Sequence, residues 1–337
     1  MFIGIPVTME RIFEIILSRP NLRGIARMTK SDPKNYGNLI TYFQGDYRPW
    51  REAKVHVFSP AMKYGAGVFE GIRGYWSDKL NKMVLFRLLD HLNRLEYSQR
   101  VMRFEKIFSH EETSGPILEV MRRNSFTEHV HVRPVVYVDG YGENGAIGPI
   151  DFAVTAVRSG KKETVNTGVA VQVSSWQRLS DLTMPVRVKA NANYNNSRMA
   201  SVQAKHDGYG AALMLNQKGN VAEGPAMCFF MVRNGVTVTP SITSNILESI
   251  TRDTVIQLFR EEIGIDTVER DVDRSELYDC QEAFFCGTAW EITPITSIDG
   301  IPIGDGTIGP ITQKLIKIYF DLATGVVEDR RGWLTMV

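Results

Sequence analysis

Lys189 ends a short β-branched run, Val186-Arg187-Val188, and opens onto Ala190-Asn191-Ala192-Asn193-Tyr194-Asn195-Asn196-Ser197-Arg198, a segment of small residues and amides. A primary amine condenses with an aldehyde and, once freed, can carry a proton between two carbon atoms. On these residues alone, a solvated surface lysine is the commoner outcome. Three later stretches change that balance. Ala222-Glu223-Gly224-Pro225 sets a carboxylate beside a Gly-Pro turn between two apolar strand-like runs, where it could keep a pyridine nitrogen protonated. Ser249-Ile250-Thr251-Arg252-Asp253 opens an amphipathic helix with Val255, Ile256, Leu258 and Phe259 apolar; the free N–H groups of a helix start suit a phosphate. Gly287-Thr288-Ala289 follows the apolar strand Ala283-Phe284-Phe285-Cys286 and offers a second backbone turn to the same anion.

Upstream, Tyr64 to Arg73 carries Gly65, Gly67 and Gly71, with Gly74 just beyond. These permit close approach of backbone to a ligand. Arg73 ends that run with a planar fork of donors suited to phosphate, or to an ion pair. Val130 to Val138 reads as a strand on which His131, Arg133 and Val135 share a face, so that Arg133 can anchor a carboxylate.

The motifs KANANYNNS, AEG, SITRD and CGTAWEITP, in this order, together with EAKVHV, YGAGVFEGIR and VRP, closely resemble the fold-type IV pyridoxal-phosphate aminotransferases, and among them the branched-chain amino-acid aminotransferases. The resemblance runs from about Ile40 to the C-terminus. It implies an α+β, mixed α/β fold of two domains like that of D-amino-acid aminotransferase. It also implies a ping-pong exchange of the amino group between leucine, isoleucine or valine and 2-oxoglutarate, with pyridoxal 5'-phosphate as cofactor. Lys189 is then the amine that holds the cofactor and afterwards the general base. Glu223 faces the ring nitrogen and Tyr194 the ring hydroxyl, while Arg73, Leu247, Ile250, Thr251 and Thr288 hold the phosphate. Tyr64, Phe69, Gly71, His131, Arg133, Thr288 and Ala289 form the substrate end, Tyr64 across the interface of a homodimer or higher homo-oligomer. Three positions depart from the family pattern: His131 where tyrosine is usual, Ser159 where an aromatic covers the substrate, and Cys228 where asparagine is frequent. They keep open a sister specificity, as an (R)-selective amine transaminase, a D-amino-acid aminotransferase or aminodeoxychorismate lyase. A non-catalytic cofactor-carrying protein is the rival from another class.

Composition limits the alternatives. The chain has 337 residues, 43% of them apolar, and 39 basic against 38 acidic side chains give a net charge of +1. No field of one sign points to nucleic acid or a membrane surface. The three cysteines, Cys228, Cys280 and Cys286, form neither a disulfide framework nor a zinc pattern, which fits a cytoplasmic protein without a metal. Cys228 reads as a buried inert thiol rather than a nucleophile.

The elements that must position these residues divide the chain into an extension over 1–39, a small domain over 40–155, a linker over 156–167 and a large domain over 168–337 carrying Lys189. The extension reads as a short helix around Ile12 to Leu17, or as an upstream start with the natural one near Met28. Strands are expected at 39–43, 55–58, 84–86, 130–138, 151–157 and 168–175. A helix is expected over Leu88–Val101 with Leu89, Leu92, Leu95 and Val101 inward and Asp90, Arg94 and Glu96 outward. A second is expected from about Asn195 to Lys205. Asn234-Gly235 and Asp299-Gly300 read as hairpin turns.

Overall fold

A computed structural model of the chain describes residues 36–337; the expected helix or alternative start within 1–39 lies almost wholly outside them. Strand β1 (Ile40–Phe43) turns back through Gln44 and Gly45, both at positive φ, into β2 (Asp46–Pro49). A two-residue turn of this hand matches the twist of the strands it joins. Helix α1 (Pro60–Tyr64) is capped by Ser59, whose side chain accepts from Met62 N. The expected strand at 55–58 does not form. Val55, Val57 and Phe58 are exposed, and the chain turns there with Ser59 N donating to the His56 carbonyl. An alternating apolar run without a partner edge has no ladder to join.

β3 (Gly67–Phe69), β4 (Ile72–Ser77) and β5 (Lys82–Phe86) follow, then α2 (Leu88–Val101), α3 (His110–Asn124), β6 (Val130–Val138) and β7 (Ile150–Arg158). In the first sheet β3 and β4 both pair with β6, one beside Val135–Tyr137 and the other beside Val130–Val132. Between them Glu70 and Gly71 cross opposite Arg133 and Pro134, with Glu70 N donating to Pro134 O. Pro134 has no N–H to return, so the ladder opens here. Helix α2 has the expected bounds, but its buried face is Leu88, His91, Leu92 and Leu95, whereas Leu89 and Val101 are exposed.

After α4 (Thr164–Thr167) the second sheet is built from β8 (Val169–Val173), β9 (Ala211–Leu213), β10 (Cys228–Arg233), β11 (Val236–Pro240), β12 (Thr267–Arg270), β13 (Glu282–Gly287), β14 (Glu291–Ile298) and β15 (Ile301–Pro302). Helix α5 (Asn193–His206) lies between β8 and β9, α6 (Ile250–Leu258) between β11 and β12, and α7 (Pro310–Ala323) follows β15. Both expected hairpin turns have two residues at positive φ, Asn234 with Gly235 and Asp299 with Gly300. β16 (Leu334–Met336) returns to pair with β5, so the end of the chain completes the first sheet.

One face of the second sheet buries Val171, Phe229, Met231, Phe285 and Ile295. Its other face buries Phe230 and Phe284, stacked 5.2 Å apart, against Val255 and Leu258 of α6, Leu315 and Tyr319 of α7, and Tyr75 and Phe86 of the first sheet. Burying each such side chain stabilises by about 1.5–3 kcal/mol. The shared core joins the two sheets, and residues 39–337 form one compact unit. The mixed α/β architecture is the one expected.

Gly74 on β4 leaves no room for a side chain between β5 and β6. A Cβ built there would stand 2.6 Å from Val130 Cγ2 and 3.1 Å from Met83 Sδ. Gly74→Ala should therefore destabilise the fold by about 1–3 kcal/mol in urea titration through overpacking. An unchanged midpoint would show that the strands separate freely.

Candidate active site

The segment carrying Lys189 has no regular structure of its own; the first sheet supplies it. Phe69 N donates to Lys189 O at 3.0 Å and Asn191 N to Gly67 O at 2.9 Å, and Ala190 bridges Val68. The segment is in effect a further short strand laid along β3. Asn193, buried at the start of α5, donates from Nδ2 to the carbonyls of Pro185 and Val188 and closes the loop behind the lysine. Lys189 Nζ is thereby carried into a cavity between the sheets and donates to Tyr194 Oη at 2.6 Å.

The cavity together with the open solvent space at its mouth amounts to about 930 Å³. Lys189, Tyr194, Glu223, Leu247 and Thr288 line it, as do Phe69, Gly71, His131, Arg133 and Ala289. Ten residues named from the sequence are thus brought together. Ile250 and Thr251 do not line it with their side chains; they form the first turn of α6, whose cap Ser249 does line it. Tyr64, at the end of α1, is half-exposed and donates to Glu143 instead.

Arg73 requires a correction. It does not reach the cavity: its Nη2 donates to Glu291 Oε1 at 2.8 Å and its Nη1 to Ser159 O at 2.7 Å, with both ionic partners buried. Both its terminal nitrogens are engaged away from the cavity, so it cannot meet a phosphate bound there. Its expected place is taken by Arg94, which the helix pattern assigned to solvent. Arg94 Nε and Nη2 grip the two oxygens of Glu70 at 2.6 and 2.8 Å, Nη1 donates to Glu248 O, and the residue lines the cavity beside Ser249. His91 shares Glu70 at 2.7 Å. Burial pushes the Glu70 carboxyl up, but the Arg94 charge and hydrogen bonds, with those of His91, hold it well below the ordinary range. The carboxylate therefore stays charged and fixes the fork. The helical repeat gave no signal for this, because the face of α2 that leaves its own core turns towards the cleft rather than water.

Arg178 is the second residue the sequence reading missed. Its Nε donates to Glu223 Oε1 at 2.8 Å, the oxygen that also accepts from Leu247 N, while its Nη1 is buried without a partner among the described residues. Burial pushes Glu223 up, opposed by Arg178, by the Leu247 amide and by Lys189. Cys228 Sγ lies 3.9 Å from Glu223 Oε2, so it adds only a weak contact where an amide would give a full hydrogen bond.

At the opposite end, Arg133 Cζ lies 4.0 Å from the centre of the Phe69 ring, and Phe69 meets Tyr194 edge-to-face. His131 sits over Gly71, where a Cβ would stand 2.9 Å from its Cε1. Burial, then Arg73, Arg133 and Lys189, lower the His131 pKa to about 4, so its imidazole is neutral at physiological pH. Ser159 does not line the cavity; its carbonyl serves Arg73.

Four cations line the cavity, Arg94, Arg133, Arg178 and Lys189, against one carboxylate, Glu223. Such a site suits a ligand with anionic groups at its ends and one cationic nitrogen between them. No group of three or more potential metal-ligating His, Cys, Asp or Glu exists among the described residues, and no helix among them is long and apolar enough to cross a membrane.

Two measurements test these electrostatics. The native protein at pH 8 should react negligibly with a thiol reagent and reveal three thiols only on unfolding. Burial pushes Cys228 and Cys280 up to about 12 and Cys286 well above its ordinary value; a fast-reacting native thiol would contradict it. Nitrogen NMR should find His131 neutral at pH 6; a charged ring would show that the surrounding cations do not reach it.

The model of the amino-transferase class IV family matches residues 67–298. The branched-chain-amino-acid aminotransferase of Escherichia coli is 39% identical over 302 residues, 88% of this chain and 96% of that protein. The crystal structure of a branched-chain aminotransferase from Thermoproteus uzoniensis, with norvaline, superposes with a TM-score of 0.84 at 41% identity, over 89% of this chain and 99% of that one. That of the branched-chain amino acid aminotransferase from Thermobaculum terrenum, in its PLP form, gives 0.84 at 40% identity and the same coverage. The family match takes in most strands of both sheets and every cavity-lining residue named above, so the chain belongs to the class IV aminotransferases.

Proposed function

We propose that the chain is a pyridoxal-phosphate-dependent aminotransferase moving the amino group between branched-chain L-amino acids and 2-oxoglutarate by a ping-pong route. The observation that carries this is the meeting of Lys189, Tyr194, Glu223 and Arg94 in one cavity whose sole acidic lining side chain is Glu223. Names of relatives similar over nine-tenths of the chain support the substrate class.

The cavity fits the cofactor on its own geometry. Arg94, the open amides of Ile250 and Thr251 at the α6 start, and the turn at Gly287 and Thr288 would hold the phosphate. Glu223, fixed by Arg178 and the Leu247 amide, would face the ring nitrogen, and Tyr194 the ring hydroxyl. Bound there, pyridoxal phosphate supplies an aldehyde for amine exchange and a pyridine that draws electrons from the substrate α-carbon.

The rest falls to the chain. Lys189 Nζ would take the substrate α-proton and carry it to the carbon on the far side of the substrate nitrogen; the Tyr194 hydroxyl, 2.6 Å away, orients the amine. Burial raises the Glu223 pKa against the opposing bonds of Arg178 and Leu247 N, and a cationic ring nitrogen facing it would favour its carboxylate form. Arg133 and His131 orient the substrate carboxylate, and Phe69, Gly71, Thr288 and Ala289 shape the space for its side chain.

Two organisational readings accompany this. The small domain, the linker over 156–167 and the large domain approximate the division between the sheets, supported by the end of β7 at Arg158 and the start of β8 at Val169, except that β16 returns to the first sheet. A homodimer would cover the exposed Val57, Phe58, Met62, Tyr64 and Tyr141 and bring Tyr64 to the partner's cavity. The free buried cysteines support a cytoplasmic location.

The test is the absorbance of the purified holoprotein. A visible band should move to the near ultraviolet with L-leucine and return with 2-oxoglutarate. Lys189→Ala should abolish the cycle, with a loss of at least ~10²–10⁴-fold from the missing base alone. A band that ignores leucine but answers to D-alanine would overturn the substrate assignment, and cycling by the Lys189→Ala protein would overturn the mechanism.

A further inference from the structure

The buried ion pair of Arg73 and Glu291 takes no part in the mechanism above, yet it joins the two walls of the substrate end. Arg73 lies on β4, two residues after the cavity residue Gly71, and is the cross-strand partner of His131 on β6. Glu291 closes the β13–β14 hairpin opposite Gly287, so the residues between them are Thr288, Ala289 and Trp290, the first two lining the cavity. The pair thus runs from the Gly71–His131 wall to the base of the turn that forms the other wall.

Its geometry is closely specified. Arg73 Nη2 meets Glu291 Oε1 at 2.8 Å, and Tyr75 Oη donates to the same oxygen at 3.1 Å while lying 3.2 Å from Tyr319 Oη. Arg73 Nη1 donates to Ser159 O. Glu291 itself has φ of 53°, a conformation costly for a side chain with a Cβ and kept only where the surroundings fix it. A buried pair of this kind adds little net stability compared with apolar packing, and its better-attested use is to fix one arrangement among several.

We propose that Arg73 and Glu291 are positioning residues that set the spacing between the β4–β6 wall and the Thr288–Ala289 turn, and so determine how tightly the site holds a carboxylate substrate with a branched apolar side chain. The inference rests on the aminotransferase reading for the identity of the ligand. Removing one partner alone strands a buried charge, so the informative variant is the double Arg73→Met/Glu291→Met, which strands none. Arg73→Lys is the second variant, keeping the charge without the planar fork.

The holoproteins are compared for thermal midpoint, cofactor affinity from the visible band, kcat and KM with leucine, and calorimetric binding of 4-methylpentanoate, the leucine skeleton without its amino group. Both variants should hold the cofactor within about twofold of the parent while KM for leucine and the 4-methylpentanoate Kd rise about tenfold or more, as expected for a displaced wall. A purely structural pair would lower the midpoint and leave both constants unchanged; constants within about twofold of the parent in either folded variant overturn the inference. The carboxylate measurement keeps the two failures apart. A parent protein whose band ignores leucine counts against the aminotransferase reading, while the change in 4-methylpentanoate binding still decides the role of the pair.

Discussion

The constraint on which the rest of the structure depends is the gathering of four cationic side chains around one cavity. Like charges so placed repel and lose solvation, and the chain answers each by a different local arrangement. Arg94 is gripped by the buried Glu70; Arg178 holds Glu223; Lys189 rests on the Tyr194 hydroxyl; Arg133 lies over the face of Phe69. Of the two carboxylates among these partners, Glu223 lines the cavity and Glu70 does not, so the net charge facing the ligand remains positive. The excess is a preorganised field for anionic groups, fixed before any ligand arrives.

Such a field needs its charges held from both sheets at once, and this explains why segments without regular structure matter most. The Lys189 loop hangs on the β3 backbone, the Glu223 turn is tied to Leu247 before α6, and the Thr288 turn is anchored through Glu291 to Arg73. Each tie joins residues far apart in sequence. The apolar burial that stabilises the fold lies elsewhere, in the aromatic and aliphatic core around Phe230 and Phe284. Stability and site geometry are thus supplied by different layers of the same fold, and a change in one need not disturb the other.

Legibility in the sequence followed the range of the interaction. The capped start of α6 was readable from its Ser cap, whereas Lys189 and Glu223 were singled out by the company of the other motifs, the local pattern alone leaving Lys189 a surface lysine. The strands β6, β8 and β13 were readable from alternation and apolar runs. Arg94 was misplaced because helical periodicity separates core from non-core faces but cannot tell solvent from an intersheet cleft. Arg73 was misplaced for the converse reason: a glycine-rich run announces close approach without saying whether a ligand or another chain segment makes it. Arg178 carried no local signal, since its partner stands 45 residues away. The run at 55–58 had strand-like alternation but no edge to pair with, a fact that only topology decides.

The departures His131 and Cys228 fit the same electrostatic logic. A tyrosine hydroxyl and a neutral imidazole can both donate a hydrogen bond to a carboxylate, but only the imidazole can also gain a charge. With Arg73 behind it in the sheet and Arg133 beside it, His131 is held neutral, so the cavity wall gains a polar group without a fifth positive charge. Cys228 acts in the opposite sense. Its thiol, pushed up to about 12, faces Glu223 Oε2 as a poor donor and leaves that oxygen less engaged than Oε1. A less satisfied carboxylate oxygen has more to gain from a cationic nitrogen than a fully bonded one, so Oε2 is the freer of the two oxygens to meet such a group.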